Sequence, residues 1–192
     1  MNQDMAAFFD ELAPTWDDAP TEYETREKLV ALMELTQNGV IADIGCGRGV
    51  LFEHLLKTNP AKIIAVDVSG EMIRLAAEQH NDPRLAYVHG DFLDILLPML
   101  DAAIFFNSYP HFLGKEALAE KLSRTLKKGG ALVIAHSHGR AKINERHIGE
   151  SVSKFSTSLE NAEVEAHKFQ TFFTTDTLID SDEIYFVKMI RR

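Results

Sequence analysis

Val40-Ile41-Ala42-Asp43-Ile44-Gly45-Cys46-Gly47-Arg48-Gly49 is the stretch that decides how this chain folds. Five residues that read as a buried strand run into three glycines at alternate positions. Glycine is needed where a chain turns sharply and where a ligand lies against bare backbone. Val50 to Leu56, which follows, has helical spacing. A helix start presents free N–H groups and the positive end of the helix dipole, so this passage predicts a binding loop rather than a plain turn. The glycine spacing narrows the ligand. A dinucleotide site usually reads G-x-G-x-x-G and seats a pyrophosphate on the helix. Here the loop reads G-x-G-x-G, with the carboxylate of Asp43 two residues before the first glycine. An acid at that point suits an ammonium-bearing ligand better than one with two phosphates.

Outward from the loop the chain alternates. Lys62-Ile63-Ile64-Ala65-Val66 is a second apolar strand, and Asp67 ends it 24 residues after Asp43. A carboxylate in that place can accept hydrogen bonds from both hydroxyls of a ribose. Ser69 precedes a helix through about Gln79 and caps its first turn. Leu85–Val88, Ala102–Phe106 and Ala131–Ala135 are further strands, and a helix over 115–126 precedes the last of these. Short strands, apolar on both faces and separated by helices, describe a parallel sheet covered on both sides. Thr174–Ile179 and Glu183–Ile190 are β-like around the turn Asp180-Ser181-Asp182, which makes a hairpin. The expected fold class is therefore α/β: a Rossmann-like, doubly wound, seven-stranded sheet, mostly parallel, with an antiparallel carboxyl-terminal hairpin strand. One domain is expected over residues 1–192, with an amino-terminal lid and helix over 1–36 and the Rossmann-like core over 37–192.

The motifs resemble those of the class I S-adenosylmethionine-dependent methyltransferases, over nearly the whole chain. Val40–Leu51 looks like the first motif of that family, Ala65–Ser69 with Met72 like the second, and His89-Gly90-Asp91-Phe92 like the third. The opening Phe8–Asp17 is similar to the lid start of the branch that includes the quinone-biosynthesis methyltransferases. The resemblance implies S-adenosylmethionine as cofactor and S-adenosylhomocysteine as product. It implies that Gly45, Cys46 and Gly47 pass the methionine part, with Asp43 near its ammonium group. Asp67 is implied at the ribose, Val68 and Met72 against the adenine, Asp91 and the Phe92 backbone at the adenine edge, and Asn107 near the methyl.

The rest of the sequence bears on the acceptor. A net charge of −9 and scattered basic residues argue against nucleic acid and anionic membranes. One cysteine excludes an intrachain disulfide, and neither a signal peptide nor a membrane-length apolar run is evident, so the expected place is the cytoplasm. The segments leaving the fourth and fifth strands, Asn107–Phe112 and His136–Arg140, bring His111, His136, His138 and Arg140 to one edge. His138 and Arg140 are expected to face the acceptor, lifted into the cleft by a turn at Gly139. His111 is expected beside the methionine carboxylate, and His136 serves either catalysis or the strand end. A metal held by these histidines with His147 is the weaker reading, and none is expected. The expected activity is methyl transfer to an oxygen or nitrogen of a small molecule. The rivals are a non-catalytic cofactor- or metal-binding module and, less favoured, an NAD-dependent oxidoreductase. The oligomeric state is not legible.

Overall fold

The computed structural model describes residues 3–16, 22–148 and 152–192; Asp17, at the end of the lid-like opening, lies outside them. The chain runs α1 (Gln3–Leu12), α2 (Tyr23–Met33), β1 (Val40–Ile44), α3 (Phe52–Lys57), β2 (Lys62–Asp67), α4 (Gly70–Gln79), β3 (Leu85–His89), β4 (Leu100–Phe106), α5 (Lys115–Thr125), β5 (Leu126–His136), α6 (Arg140–Arg146), α7 (Ala162–His167), β6 (Phe173–Asp180) and β7 (Tyr185–Arg191). The seven strands form one sheet in the order β3-β2-β1-β4-β5-β7-β6. β1 to β5 are parallel neighbours, whereas β7 runs antiparallel between β5 and β6.

The apolar strands are buried because both faces of the sheet are covered. One core cluster gathers Ile44, Val66, Phe105, Leu132 and Ile134 under α5 and the α7 region. The other gathers Leu29, Met33, Ile41, Leu55, Ile104 and Phe186 on the opposite face. Ser69 caps α4, its Oγ accepting from the Met72 amide at 3.0 Å. Among the described residues no helix is long and apolar enough to cross a membrane.

The largest differences from the sequence reading are one strand boundary and one added helix. β5 begins at Leu126, before Gly129 and Gly130, because Leu126 pairs with Leu100 ahead of an irregularity that brings Ala102 opposite Ala131. The short α7 was not expected; Asn161 caps it by accepting from the Val164 amide at 2.9 Å. Polar residues separate the few apolar ones in 153–167, which left that helix without a readable stripe.

Candidate active site

β1, β2, β4 and β5 end at the same edge of the sheet, against a cavity of about 560 Å³. α1 covers it: Met5, Phe8, Phe9 and Leu12 lie on one helical face, all lining the cavity.

One half of the cavity is built from the glycine loop and the end of β2. The amides of Gly45 and Cys46 both donate to the Val66 carbonyl, at 2.8 and 3.1 Å, folding the loop over β2. Gly45 and Gly47 have φ of +71° and +54°, a region open to glycine at no steric cost. A side chain at Gly45 would strike Ser108, whereas one at Gly47 would meet nothing within 4 Å. The Gly47 amide donates to Asp67 Oδ2 at 2.8 Å and the Ser69 amide to Asp67 Oδ1 at 2.9 Å. Asp43 and Asp67 are both buried and both line the cavity. Burial, and then the neighbouring Asp67, push the Asp43 carboxyl up to about 7. Burial also raises Asp67, and the two backbone amides oppose that rise.

Val68, Met72, Asp91 and Phe92 continue this wall. Asp91 Oδ1 accepts from the Leu93 amide at 3.0 Å, which fixes its side chain at the turn after β3. Cys46 is buried, and burial followed by the two carboxylates holds its thiol well above its ordinary value. It is a packed thiol rather than a nucleophile. Asn107, at φ +53°, clamps the ends of β4 and β5. Its Nδ2 donates to Ser137 Oγ at 3.0 Å, and its Oδ1 accepts from the Ser137 amide at 3.1 Å.

The other half is aromatic. Phe9 packs edge-on against His111 at 5.0 Å and against Trp16 at 6.1 Å, and His111 lies 5.1 Å from His147. His111 Nδ1 donates to the Phe155 carbonyl at 2.9 Å, and His147 Nδ1 donates to that of Ile143 at 2.7 Å. His136 lines the cavity, and its buried Nε2 has no hydrogen-bond partner among the described residues. Burial lowers His111 to about 4 and His136 to about 3, so both rings are uncharged at neutral pH. Among the described residues no three His, Cys, Asp or Glu side chains are grouped as metal ligands.

His138 and Arg140 do not line this cavity. Arg140 turns away to Asp180 at the end of β6, Nε to Oδ2 3.1 Å. His138 lies behind the rim, its Nδ1 3.5 Å from Glu22 Oε1 and its Nε2 3.3 Å from Arg146 Nη2. The reason is Gly139. A side chain there would collide with the carbonyl oxygens of Ser181 and Asp182, so the glycine lets the hairpin turn press against α6 instead of lifting a loop into the cleft. Besides the three aspartates, the charged residues that do line the cavity are Glu22, Arg26, Arg48 and Arg146. The sequence reading missed Arg26, although a signal existed: it shares the helical phase of the buried Leu29, Val30 and Met33. Nothing in the sequence distinguished Arg146.

Comparison with known proteins agrees with this geometry. Residues 41–130 match a family model described as a methyltransferase domain. A malonyl-[acyl-carrier protein] O-methyltransferase of Priestia megaterium is 30% identical over 144 residues, covering 74% of this chain and 51% of that protein. The chain thus spans about half the length of the curated relatives it matches. A methyltransferase solved in complex with the Haloferax volcanii Trm112 methyltransferase activator superposes with a TM-score of 0.81 at 18% identity, covering 95% of this chain and 97% of that one. The N-methyltransferase NodS of Bradyrhizobium japonicum, solved with S-adenosyl-L-homocysteine, gives 0.71 at 16% identity, covering 91% and 89%. With the glycine loop, the two carboxylates and the strand order in place, this chain belongs to the class I S-adenosylmethionine-dependent methyltransferases.

Proposed function

We propose that the chain transfers a methyl group from S-adenosylmethionine to an oxygen or nitrogen atom of a small-molecule acceptor. One observation carries this reading: two buried carboxylates, Asp43 and Asp67, flank a glycine loop on a single cavity wall. That donor set fits the cofactor. Each oxygen of Asp67 already accepts one amide and retains a lone pair for a ribose hydroxyl. The open space over Gly47 admits a ligand against the backbone. Asp43 favours an ammonium group and repels a pyrophosphate, which argues against the oxidoreductase reading.

In this reading Asp43 holds the ammonium of the methionine part, with Gly45, Cys46 and Gly47 along its backbone. Asp67 orients the ribose. Val68 and Met72 pack on the adenine, Asp91 and the Phe92 backbone meet its edge, and Asn107 keeps the ends of β4 and β5 fixed beside the methyl. When bound, the sulfonium supplies an electrophilic methyl group, whose carbon passes to an acceptor lone pair. Such an in-line displacement is accelerated chiefly by alignment and by excluding water. Phe9, Trp16 and His111 supply an apolar enclosure for the acceptor. The uncharged state of His111 and His136 matters, because an imidazolium beside a sulfonium would repel it. Both rings are too weakly basic to act as efficient general bases at neutral pH, so they serve as uncharged hydrogen-bonding groups.

An oxygen or nitrogen acceptor is supported by relatives and neighbours that include an O-methyltransferase and an N-methyltransferase. The test is transfer of label from methyl-labelled S-adenosylmethionine into a small-metabolite extract and, separately, into acyl carrier protein fractions. Label in a discrete small product supports the proposal. Label only on protein moves the acceptor to a carrier-bound group. Saturable cofactor binding with no label in either fraction favours a non-catalytic binding module.

A further inference from the structure

α1 is tied to the core by one polar residue that the cofactor reading does not use. Asp10 Oδ1 accepts from Ser69 Oγ at 2.6 Å and from the Glu71 amide at 3.0 Å. Ser69 is fully buried, and its hydroxyl has one proton to give. That proton goes to Asp10, while the same oxygen accepts from Met72. Asp10 therefore completes the cap of α4, satisfying an amide that Ser69 cannot reach, with its negative charge at the positive end of the helix. The Ser69 amide in turn holds Asp67, whose other oxygen holds Gly47. A continuous line of hydrogen bonds thus joins α1 to the ribose carboxylate and the glycine loop.

On its other side α1 is held by ring contacts, Phe8 to Phe155 at 5.4 Å and Phe9 to His111 at 5.0 Å. A ten-residue helix is marginal in isolation and needs such docking to persist. Met5, Phe8, Phe9 and Leu12 present its apolar face to the cavity, so when α1 is docked, whatever occupies the cavity lies beneath it.

We propose that Asp10 is a positioning residue that latches α1 over the cofactor half of the cavity, so that cofactor release requires the Asp10–Ser69 contact to break. The inference rests on the reading of this cavity as the S-adenosylmethionine site. It sets an order of events: cofactor enters before α1 docks, and product cofactor leaves only after it lifts.

The test is the dissociation rate of S-adenosylhomocysteine from Asp10→Ala, Asp10→Asn and unmodified protein, followed by the fluorescence of Trp16. That residue is the only tryptophan of the chain and packs against Phe9 of α1. Loss of a hydrogen bond to a charged group predicts release faster by roughly tenfold or more for Asp10→Ala. Asp10→Asn keeps an acceptor oxygen and falls between the two. Trp16 emission in Asp10→Ala should shift to the red, as the ring becomes more exposed. An unchanged release rate in Asp10→Ala, with or without a lower melting temperature, overturns the latch. Failure of S-adenosylhomocysteine to bind the unmodified protein overturns the cofactor reading instead, so the two failures are separable.

Discussion

The backbone amide of Gly47 and the carboxylate of Asp67 meet at 2.8 Å, which makes the turn after β1 and the end of β2 one rigid edge. The contact is possible because Gly47 takes φ +54°, aiming its N–H at β2 rather than into solvent. Asp67→Asn keeps the shape of the side chain but weakens its acceptance from two amides and from a ribose. The expected outcome is a loss of S-adenosylhomocysteine affinity of roughly 10- to 100-fold by calorimetry.

The two loop glycines should respond differently to alanine. At Gly47 the added methyl group meets only open space, so the cost in the empty protein is backbone strain alone, about 1–2 kcal/mol. At Gly45 the same strain is joined by a collision with Ser108, whose Oγ donates to the Ile44 carbonyl at 2.6 Å. Gly45→Ala should lower the denaturant midpoint well beyond Gly47→Ala, while Gly47→Ala should chiefly reduce cofactor affinity. Equal destabilisation of the two variants contradicts this account.

Asp43 predicts opposite effects on stability and binding. Its carboxyl is raised from 3.8 to about 7 in the folded protein, so the fold binds this proton more tightly than the unfolded chain does. That contribution to stability is present below the ordinary carboxyl value and is lost as pH rises towards 7. Asp43→Asn should therefore raise the melting temperature of the cofactor-free protein at pH 8, by about 2–4 °C per kcal/mol recovered. The same variant should lose most of its cofactor affinity. In the unmodified protein, binding that needs the ionised carboxylate should weaken below pH 7, approaching tenfold per pH unit.

His111 and His136 should not titrate near neutrality. Burial holds them at about 4 and about 3, so their ring resonances in NMR should stay constant from pH 8 down to about 5. If either ring ionises between pH 6 and 7, the uncharged enclosure assigned here is wrong. His136→Phe should keep the packing and expose any hydrogen bond the acceptor makes to the ring, as a raised KM with little change in cofactor affinity.

Arg140→Ala should be nearly silent. The pair with Asp180 is partly exposed, and such pairs contribute about 0–1 kcal/mol. Methyl transfer within twofold of the unmodified rate is expected. A loss of a hundredfold or more would return Arg140 to the acceptor site despite its distance from the cavity lining.

The placement of the glycine-loop half of the cavity was readable because backbone geometry forces its residue types. A strand that turns back over its neighbour needs glycine at Gly45 and Gly47, and a carboxylate at the end of β2 stands out against the apolar run before it. The hairpin and the capping role of Ser69 were legible for the same reason: turns and caps restrict which residues they accept. The acceptor half follows no local rule. His138 and Arg140 were placed in the cleft from their position just after β5. Their actual direction depends on the β6–β7 turn pressing on Gly139, a contact more than 40 residues distant in sequence. Asp10 likewise reads as one acid among several until α4 is placed beside it.

The position of β7 between β5 and β6 also dictates how the polypeptide assembles as it is synthesised. β5 is complete at residue 136, yet the partner for its free edge spans residues 185–191. β6 emerges earlier than β7 but pairs only with it. Until β7 leaves the ribosome, the apolar edge carrying Leu132, Val133 and Ile134 stays open to any other extended chain. The sheet therefore closes only when β7 becomes available, and the β5 edge is most exposed to aggregation just before that.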